Sequence, residues 1–266
     1  MKYVPKELKE TADISRGSTT WQSFLKNVLS VVIILGAIYL LLGLVADLIA
    51  VHVPEKVEAR LFSWNMSSDN EEPAEFQRAQ LIFERLLQQP GLRPLPYKLF
   101  LLDMPQPNAV AVPGGGVGVS SALLEAVPGE IGLAMVLGHE LGHHQGRHSL
   151  KRLGRGLIYS FVMVLFFGEN QSAVVNSSFQ VAESSYSRSQ EREADKFGLR
   201  LVYQSYGHTQ GALEFFEIIQ REFESDRSRW SSFFASHPLT PDRIAYLREL
   251  QISVPKEAKE EVKKQP

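Results

Sequence analysis

An uncharged apolar run near the start of the chain constrains its fold more than any other feature. From Val28 to Ala46 no side chain is charged, and the apolar character continues to Val51 apart from Asp47. At a rise of about 1.5 Å per residue, a helix of this length matches a hydrocarbon core of about 30 Å. A single segment can cross there only as a helix, because its backbone polar groups must be satisfied internally. We therefore expect one transmembrane helix over residues 28–51.

Two other structures compete to explain this run. A core helix of this length would usually carry a polar stripe. A cleaved signal peptide would have a shorter apolar region, followed by small residues at a cleavage site. The segment Leu48-Ile49-Ala50 is a poor site of that kind. We therefore favour a retained anchor.

Basic residues are more frequent before the apolar run than after it. Lys and Arg occur five times before it and twice between it and residue 70, at Lys2, Lys6, Lys9, Arg16, Lys26, Lys56 and Arg60. Cytoplasmic flanks of spanning helices are enriched in these residues. The sequence therefore predicts a cytoplasmic segment over 1–27 and an extracytoplasmic domain from 54 onward. In a bacterium, this predicts a single-pass inner (cell) membrane protein with a periplasmic domain.

Composition narrows the chemistry that is open to the chain. Its 266 residues carry 28 basic and 30 acidic side chains, and a net charge of −2 argues against a nucleic-acid partner. The chain has no Cys, so any transition metal must be held by His, Asp or Glu. The glycines at 114–116 lack the Lys-Ser/Thr of a phosphate loop, so we expect no bound nucleotide.

After the anchor, the patterns predict a mainly helical α+β domain over 54–252. Helices are predicted at 55–87, 121–127, 130–145, 147–167, 188–206, 211–223 and 241–250, and extended segments at 98–104 and 108–120. The apolar stretch 157–167 is too short to span a bilayer, and it fits either a core helix or a segment that dips into the membrane. Residues 168–185 are predicted to form a polar loop and 253–266 a disordered charged tail.

The segment 139–143, His-Glu-Leu-Gly-His, has the H-E-x-x-H pattern on a predicted helix. Residues four apart share one helix face, so the imidazoles of His139 and His143 can reach one zinc ion. Glu140 projects beside them, where it can take a proton from water at the metal without being a ligand. Gly138 and Gly142 are small, so another backbone can pack close to this helix.

A pair of carboxylates four residues apart supplies the best candidate for a third ligand. On a predicted helix, Glu191 can complete the coordination, while Asp195 hydrogen-bonds the far ring nitrogen of a zinc histidine. This arrangement leaves one position open for water, as catalytic zinc sites require. Glu193 lies about 200° around the same helix from Glu191, and we expect it to face elsewhere.

Two further histidines follow the H-E-x-x-H segment. His144 is about 100° around the helix from His143, so we expect it to be a surface or packing residue. His148 lies beyond Gly146 and is a weak ligand candidate.

Taken together, these motifs resemble the M48 family of zinc metallopeptidases. The chain carries H-E-x-x-H at 139–143, E-x-x-A-D at 191–195, and His237-Pro238 followed by Arg243, while residues 108–115 resemble the family's N-A-x-A-x-P-G-G segment. The resemblance implies a gluzincin-type fold with a small β-sheet. It also implies one Zn²⁺ per chain, held by His139, His143 and Glu191, with Glu140 as the general base.

The resemblance implies roles for the remaining motif residues as well. His237 would lie near the metal, where it would stabilise an oxyanion or occupy the open position in a latent state. Arg243 would be a structural or a substrate-site partner. An extended peptide would lie on an edge strand and contact Asn108, Ala109, Val110 and Ala111. The single clear span fits a single-anchor member of the family better than a multispanning one.

The expected function is that of a membrane-anchored zinc endopeptidase. Its expected partners are the membrane and an extended protein or peptide substrate, from misfolded or unassembled envelope proteins by family analogy. The alternative is a zinc-binding chaperone or assembly factor of the cell envelope with little or no proteolysis. Glu140 argues against that alternative, because a non-catalytic site has no use for this carboxylate. A latent peptidase, held shut by His237 or by residues 168–186, is a third hypothesis.

Overall fold

The structure is a computed structural model that describes residues 20–63, 73–167, 186–223 and 229–264. The chain divides into two compact units, residues 1–44 and 45–266. Helices and strands follow one another in the order α1 Trp21–His52, α2 Glu55–Leu61, α3 Ala74–Leu87, β1 Lys98–Leu102, β2 Ala109–Val112, β3 Gly116–Ser120, α4 Ser121–Ala126, α5 Glu130–Gln145, α6 His148–Phe167, α7 Arg188–Tyr206, α8 Glu214–Phe223, α9 Ser231–Ser236 and α10 Pro241–Lys264. The structure thus confirms the predicted class, mainly helical with a small sheet.

Helix α1 contains the predicted transmembrane run. Within the described residues it is the one helix that is long and apolar enough to cross a membrane. Only 6% of its most apolar window is buried, whereas a core helix would be mostly buried. The helix therefore fits a membrane anchor and does not fit the core-helix alternative.

The sheet has three strands in the order β1-β3-β2. Strand β3 is central and buried along its whole length; it pairs with β1 in parallel and with β2 in an antiparallel manner. Gly114 and Gly115 connect β2 to β3 with φ values of 91° and 101°, a backbone region that favours glycine. The predicted pair of extended segments around a glycine turn is therefore confirmed, and β2 lies at an edge of the sheet.

Helix α5 forms the centre of the second unit and is buried from Gly132 to His144. It packs closely against α7, where a Cβ placed on Gly142 would lie 2.7 Å from Cα of Ala194. A Cβ placed on Gly198 of α7 would lie 2.7 Å from the backbone nitrogen of His139. The small residues on both helices thus allow the backbones to touch, as the glycines in the sequence predict.

Several element ends differ from the predicted ones. In place of the predicted helix 55–87, the structure has two helices, α2 and α3. Pro73 comes directly before α3, and proline is unfavourable inside a helix. Helix α10 continues to Lys264, where the sequence predicted an end at Leu250 and a disordered tail. The added residues are rich in Glu and Lys and include Ala258, residue types that favour helix. The predicted loop 168–185 lies outside the described residues.

Candidate metal centre

Four buried side chains from three parts of the chain converge on one point. The Nε2 atoms of His139 and His143, one turn apart on α5, are separated by 3.0 Å. Glu191 of α7 places Oε1 3.4 Å from Nε2 of His143 and Oε2 3.7 Å from Nε2 of His139. His237, which follows α9, places Nδ1 3.3 Å from Nε2 of His139 and 3.2 Å from Oε1 of Glu191.

These four groups fit a metal ion by both geometry and chemistry. One donor atom from each lies within 4.8 Å of the donor atoms of the other three. Donors about 2.05 Å from a tetrahedral metal would lie about 3.3 Å from one another, and the observed separations bracket that value. Three imidazole nitrogens and one carboxylate oxygen form a donor set that suits a divalent transition metal. The structure brings together the predicted ligands His139, His143 and Glu191, and it places His237 beside them, where the resemblance implied that it would lie.

Glu140 lies beside this cluster and is fully buried. The ring of His237 lies near it, with Nε2 3.5 Å from Oε1. Neither carboxylate oxygen has a hydrogen-bond partner among the described residues. A buried carboxylate without a donor is costly, and a group of this kind in a buried cluster is a candidate for a chemical role.

A second carboxylate supports the first histidine from behind. Oδ1 of Asp195 lies 2.8 Å from Nδ1 of His139, as the sequence predicts for a partner of the far ring nitrogen. Burial alone would raise the pKa of Asp195, but Arg243, which donates to both carboxylate oxygens at 2.8 Å, holds that pKa below its usual value. Asp195 therefore stays ionised and can orient the ring of His139.

The environment also controls the charge of the clustered groups. Burial holds the pKa of His143 well below its usual value, so the ring is neutral at pH 7. Burial would raise the pKa of Glu191, but the neighbouring His237 and His143 hold it well below the usual value. A neutral imidazole and an ionised carboxylate are the forms that bind metal.

Two other histidines near α5 lie outside the donor set. His144 is buried, and its Nε2 donates to the carbonyl of Gly116 at 2.9 Å, which agrees with a packing role. Burial lowers the pKa of His144 to about 4. Nδ1 of His148 lies 3.0 Å from Nδ1 of His143, so its ring contacts a candidate ligand on the side away from the cluster.

Sequence reasoning missed Tyr186, whose ring stacks on His143 with centroids 3.7 Å apart. Its hydroxyl lies 2.9 Å from Oγ of Ser149. The available signal was its position directly before Ser187, the capping residue of the helix that carries Glu191.

The predicted peptide-binding strand β2 is covered in this structure. The amide of Ser120 in β3 donates to the carbonyl of Asn108. In an antiparallel pair every second residue bonds to the partner strand, so the backbone groups of Ala109 and Ala111 point away from β3. Both alanines are nevertheless buried, and the carbonyl of Ala111 accepts a hydrogen bond from Oγ of Ser149 at 2.6 Å. Val110 and Asn108 are half-buried.

Arg243 is 4% exposed and contacts Glu191 as well as Asp195. It lines a small cleft together with Tyr186, Glu191 and Pro238. The cleft encloses about 30 Å³, which is enough for water but not for a peptide side chain of any size. Of the two roles that the resemblance implies for Arg243, structural partner and substrate-site partner, these contacts fit the structural one.

The chain is similar to known metallopeptidases. The sequence profile described as peptidase family M48 matches residues 73–251. Mitochondrial metalloendopeptidase OMA1 of Schizosaccharomyces pombe is 29% identical over 174 residues, and metalloprotease YcaL of Escherichia coli is 31% identical over 165. The putative beta-barrel assembly-enhancing protease of Vibrio cholerae is 28% identical over 167 residues.

These alignments cover only part of each protein. The alignment with OMA1 covers 63% of this chain and 50% of OMA1. The alignment with YcaL covers 59% of this chain and 62% of YcaL, and that with the Vibrio protease covers 58% of this chain and 34% of that protein. The chain thus spans between a third and two thirds of the relatives' lengths. The family profile, in contrast, includes every residue of the cluster and covers more than half of the chain. On this evidence the chain belongs to peptidase family M48.

Proposed function

We propose that this chain is a zinc-dependent endopeptidase with a single membrane anchor. The observation that carries the proposal is the buried carboxylate of Glu140, which has no hydrogen-bond partner within the described part of the chain and lies beside the donor atoms of His139, His143 and Glu191. The family and the metalloprotease relatives support it. Imidazole nitrogens and a carboxylate oxygen are donors that zinc commonly takes in proteins.

The chemistry divides between the metal and the chain. A zinc ion held by these residues would supply Lewis acidity toward a peptide carbonyl and toward water. Glu140 accepts a proton from a water molecule as the water oxygen attacks the carbonyl carbon. Glu140 then passes that proton to the amine nitrogen as the C–N bond breaks. Asp195 and Arg243 keep the ring of His139 in place throughout.

His237 would close the site in the conformation described here. With its Nδ1 among the donor atoms, four protein groups fill a tetrahedral set, whereas a catalytic zinc site keeps one position open. We propose that this is a latent form and that His237 leaves the set when substrate binds. Stabilisation of an oxyanion is the alternative role that the resemblance implies for this ring.

A peptide substrate would add to the free edge of β2 as an extended strand. The backbone groups of Ala109 and Ala111 point in the required direction. The hydrogen bond from Ser149 to Ala111 must first be released. Together with the movement of His237, this release is the change that would open the site.

The anchor and the charge bias on either side of it support a bacterial inner-membrane location, with the peptidase domain (54–252) in the periplasm. Misfolded or unassembled envelope proteins are the proposed substrates; the beta-barrel assembly-enhancing protease of Vibrio cholerae is a relative with a name of that kind. A C-terminal alkaline phosphatase fusion tests the orientation, because the fused enzyme is active only outside the cytoplasm. An inactive but stable fusion would reverse the proposed topology.

A second candidate is a zinc-binding chaperone or assembly factor. The closed set of four donors favours it, since structural zinc sites are closed. It gives no use, however, to the buried carboxylate of Glu140.

The substitution Glu140→Gln separates the two candidates. We expect the purified variant to retain zinc, measured by elemental analysis, and to lose cleavage of unfolded casein. Glu130→Gln, at an exposed position on the same helix, serves as the control and should cleave like the parent protein. Equal cleavage by the parent protein and Glu140→Gln would reject the proposed mechanism.

A further inference from the structure

The turn after α5 folds a histidine back onto the metal centre. Helix α5 ends at Gln145, and Arg147 follows with φ at 54°, a left-handed conformation that is uncommon outside glycine. A Cβ placed on Gly146 would lie 2.1 Å from Nε2 of His148. A glycine at 146 is therefore required for the ring of His148 to lie against this turn.

The position of the ring is defined by one contact on each side. Its Nδ1 lies 3.0 Å from Nδ1 of His143, and its Nε2 lies 3.3 Å from Oε2 of Glu193. His148 is 1% exposed, whereas the side chain of Glu193 is 66% exposed. A chain of contacts thus runs from the surface of α7 through a buried imidazole to a candidate metal ligand.

Only one arrangement of protons satisfies all these contacts. Nε2 of His143 faces the other donor atoms, so it must be free of a proton to bind metal, and the ring proton lies on Nδ1. That proton is donated to Nδ1 of His148, whose own proton therefore lies on Nε2. Nε2 of His148 then donates to the carboxylate of Glu193.

The two ligands on α5 thus have parallel supports. Nδ1 of His139 meets Asp195, which is held by Arg243, while Nδ1 of His143 meets His148, which is held by Glu193. Both supporting carboxylates come from the same turns of α7 that supply Glu191. The sequence predicted that Glu193 faces away from the metal. Its position agrees with this, because Glu193 contacts His148 and not the donor atoms.

Tyr186, the other ring that packs against His143, does not provide this hydrogen bond. The ring of Tyr186 stacks on the imidazole at 3.7 Å and restricts the ring plane, but its hydroxyl lies against Ser149. A stacked ring fixes a plane and leaves both tautomers possible. Choice of the tautomer requires an acceptor at Nδ1.

We propose that His148 and Glu193 are positioning residues that fix the ring orientation and tautomer of His143 for metal binding. This inference rests on the proposed metal site. Partners of this kind typically change metal affinity 10- to 100-fold when removed. Glu193 is exposed to solvent, so its removal should have a smaller effect than removal of His148.

The test is zinc affinity of the full chain in detergent, measured by competition with a chromophoric chelator. We expect His148→Ala to weaken zinc binding about 10- to 100-fold and Glu193→Ala a few-fold. His148→Asn places an amide oxygen near the original Nδ1 and should recover most of the affinity. His208→Ala, at an exposed histidine far from any motif, is the control and should bind as the parent does.

A purely structural role predicts a different pattern. It would lower the thermal midpoint of the metal-free protein in His148→Ala and His148→Asn alike, with no recovery of zinc affinity by Asn. That pattern, or zinc binding by His148→Ala equal to that of the parent, overturns the inference. Failure of the parent protein itself to bind zinc would instead reject the metal site on which the proposed function rests.

Discussion

Arg243 and Asp195 form a buried, bidentate ion pair directly behind the imidazole of His139. Both nitrogen–oxygen distances in the pair are 2.8 Å, and Oδ1 of Asp195 lies 2.8 Å from Nδ1 of the ring. The pair joins the start of α10 to the helix that carries Glu191. Helix α10 thus contributes to the candidate metal centre without supplying a donor atom.

We expect Arg243→Ala to destabilise the protein by about 3–5 kcal/mol, because it leaves Asp195 and Glu191 as buried carboxylates without their partner. Chemical denaturation of the metal-free protein measures the change. The matched control is Arg85→Ala, which breaks the exposed pair with Glu130 at 3.2 Å and should cost less than about 1 kcal/mol. Equal effects of the two substitutions would show that burial of the Arg243 pair has no energetic consequence.

Close packing of α5 on α7 predicts a severe effect of a single methyl group. In Gly142→Ala the new Cβ would lie 2.7 Å from backbone Cα of Ala194, so the helices must separate and move Glu191 away from the imidazoles. We expect a loss of about 1–3 kcal/mol in stability, together with weaker zinc binding. The control is Gly36→Ala in α1, where a Cβ has no neighbour within 4 Å. Unchanged zinc affinity in Gly142→Ala would contradict the contact.

The position of His237 leads to a prediction about basal activity. If its Nδ1 occupies the coordination position that catalysis needs, His237→Ala should retain zinc on three ligands and cleave unfolded casein faster than the parent. Initial rates at saturating zinc measure this difference. A fall of about 100-fold or more in kcat would instead assign His237 to oxyanion stabilisation alone and reject the latent form.

The sequence was informative where a motif lies within one helix. His139 and His143 share a face because of the helical repeat, and the small side chains of Gly138 and Gly142 indicate a close neighbour. Neither inference depends on the rest of the fold. The single anchor follows in the same way from the length of one apolar run.

Apart from the contacts of Glu191 and Asp195 with α5, contacts between distant segments were not predictable from these patterns. Arg93 forms a buried ion pair with Glu58 at 2.6 Å, and Glu58 also accepts from the amide of Gly114. Each of these residues has an ordinary polar context in the sequence. The same holds for His148, whose contact with His143 depends on the left-handed backbone at Arg147, a conformation that an arginine does not predict.

Tyr97 gives a prediction about alkaline pH. Burial raises its pKa from 10.0 to about 12, and its hydroxyl has no hydrogen-bond partner among the described residues. The folded state thus favours the neutral phenol. The contribution of Tyr97 to the free energy of unfolding is therefore fully present below pH 10, and about 2–3 kcal/mol is lost as the pH rises from 10 to 12. Tyr97→Phe should therefore lose less stability than the parent between pH 9 and pH 11, as measured by urea unfolding. Identical pH profiles would contradict the shift.

The junction between the anchor and the domain gives a last prediction, on truncated chains. Arg147 donates to the carbonyls of Ala50 and Val53 at the end of α1, and Arg155 pairs with Asp47 at 2.7 Å. A chain that begins at residue 45, where the second compact unit starts, keeps these contacts, whereas a chain that begins at residue 54 loses all of them.

We expect the shorter chain to be less stable by about 2 kcal/mol or more, since hydrogen bonds to charged groups contribute about 1.5–3 kcal/mol each. Thermal unfolding of both truncated chains in the same detergent measures the difference. Arg147→Ala in the longer chain should reproduce part of the loss, because it removes the same contacts without shortening the protein. Equal thermal midpoints for the two chains would show that the last turns of α1 do not stabilise the peptidase domain.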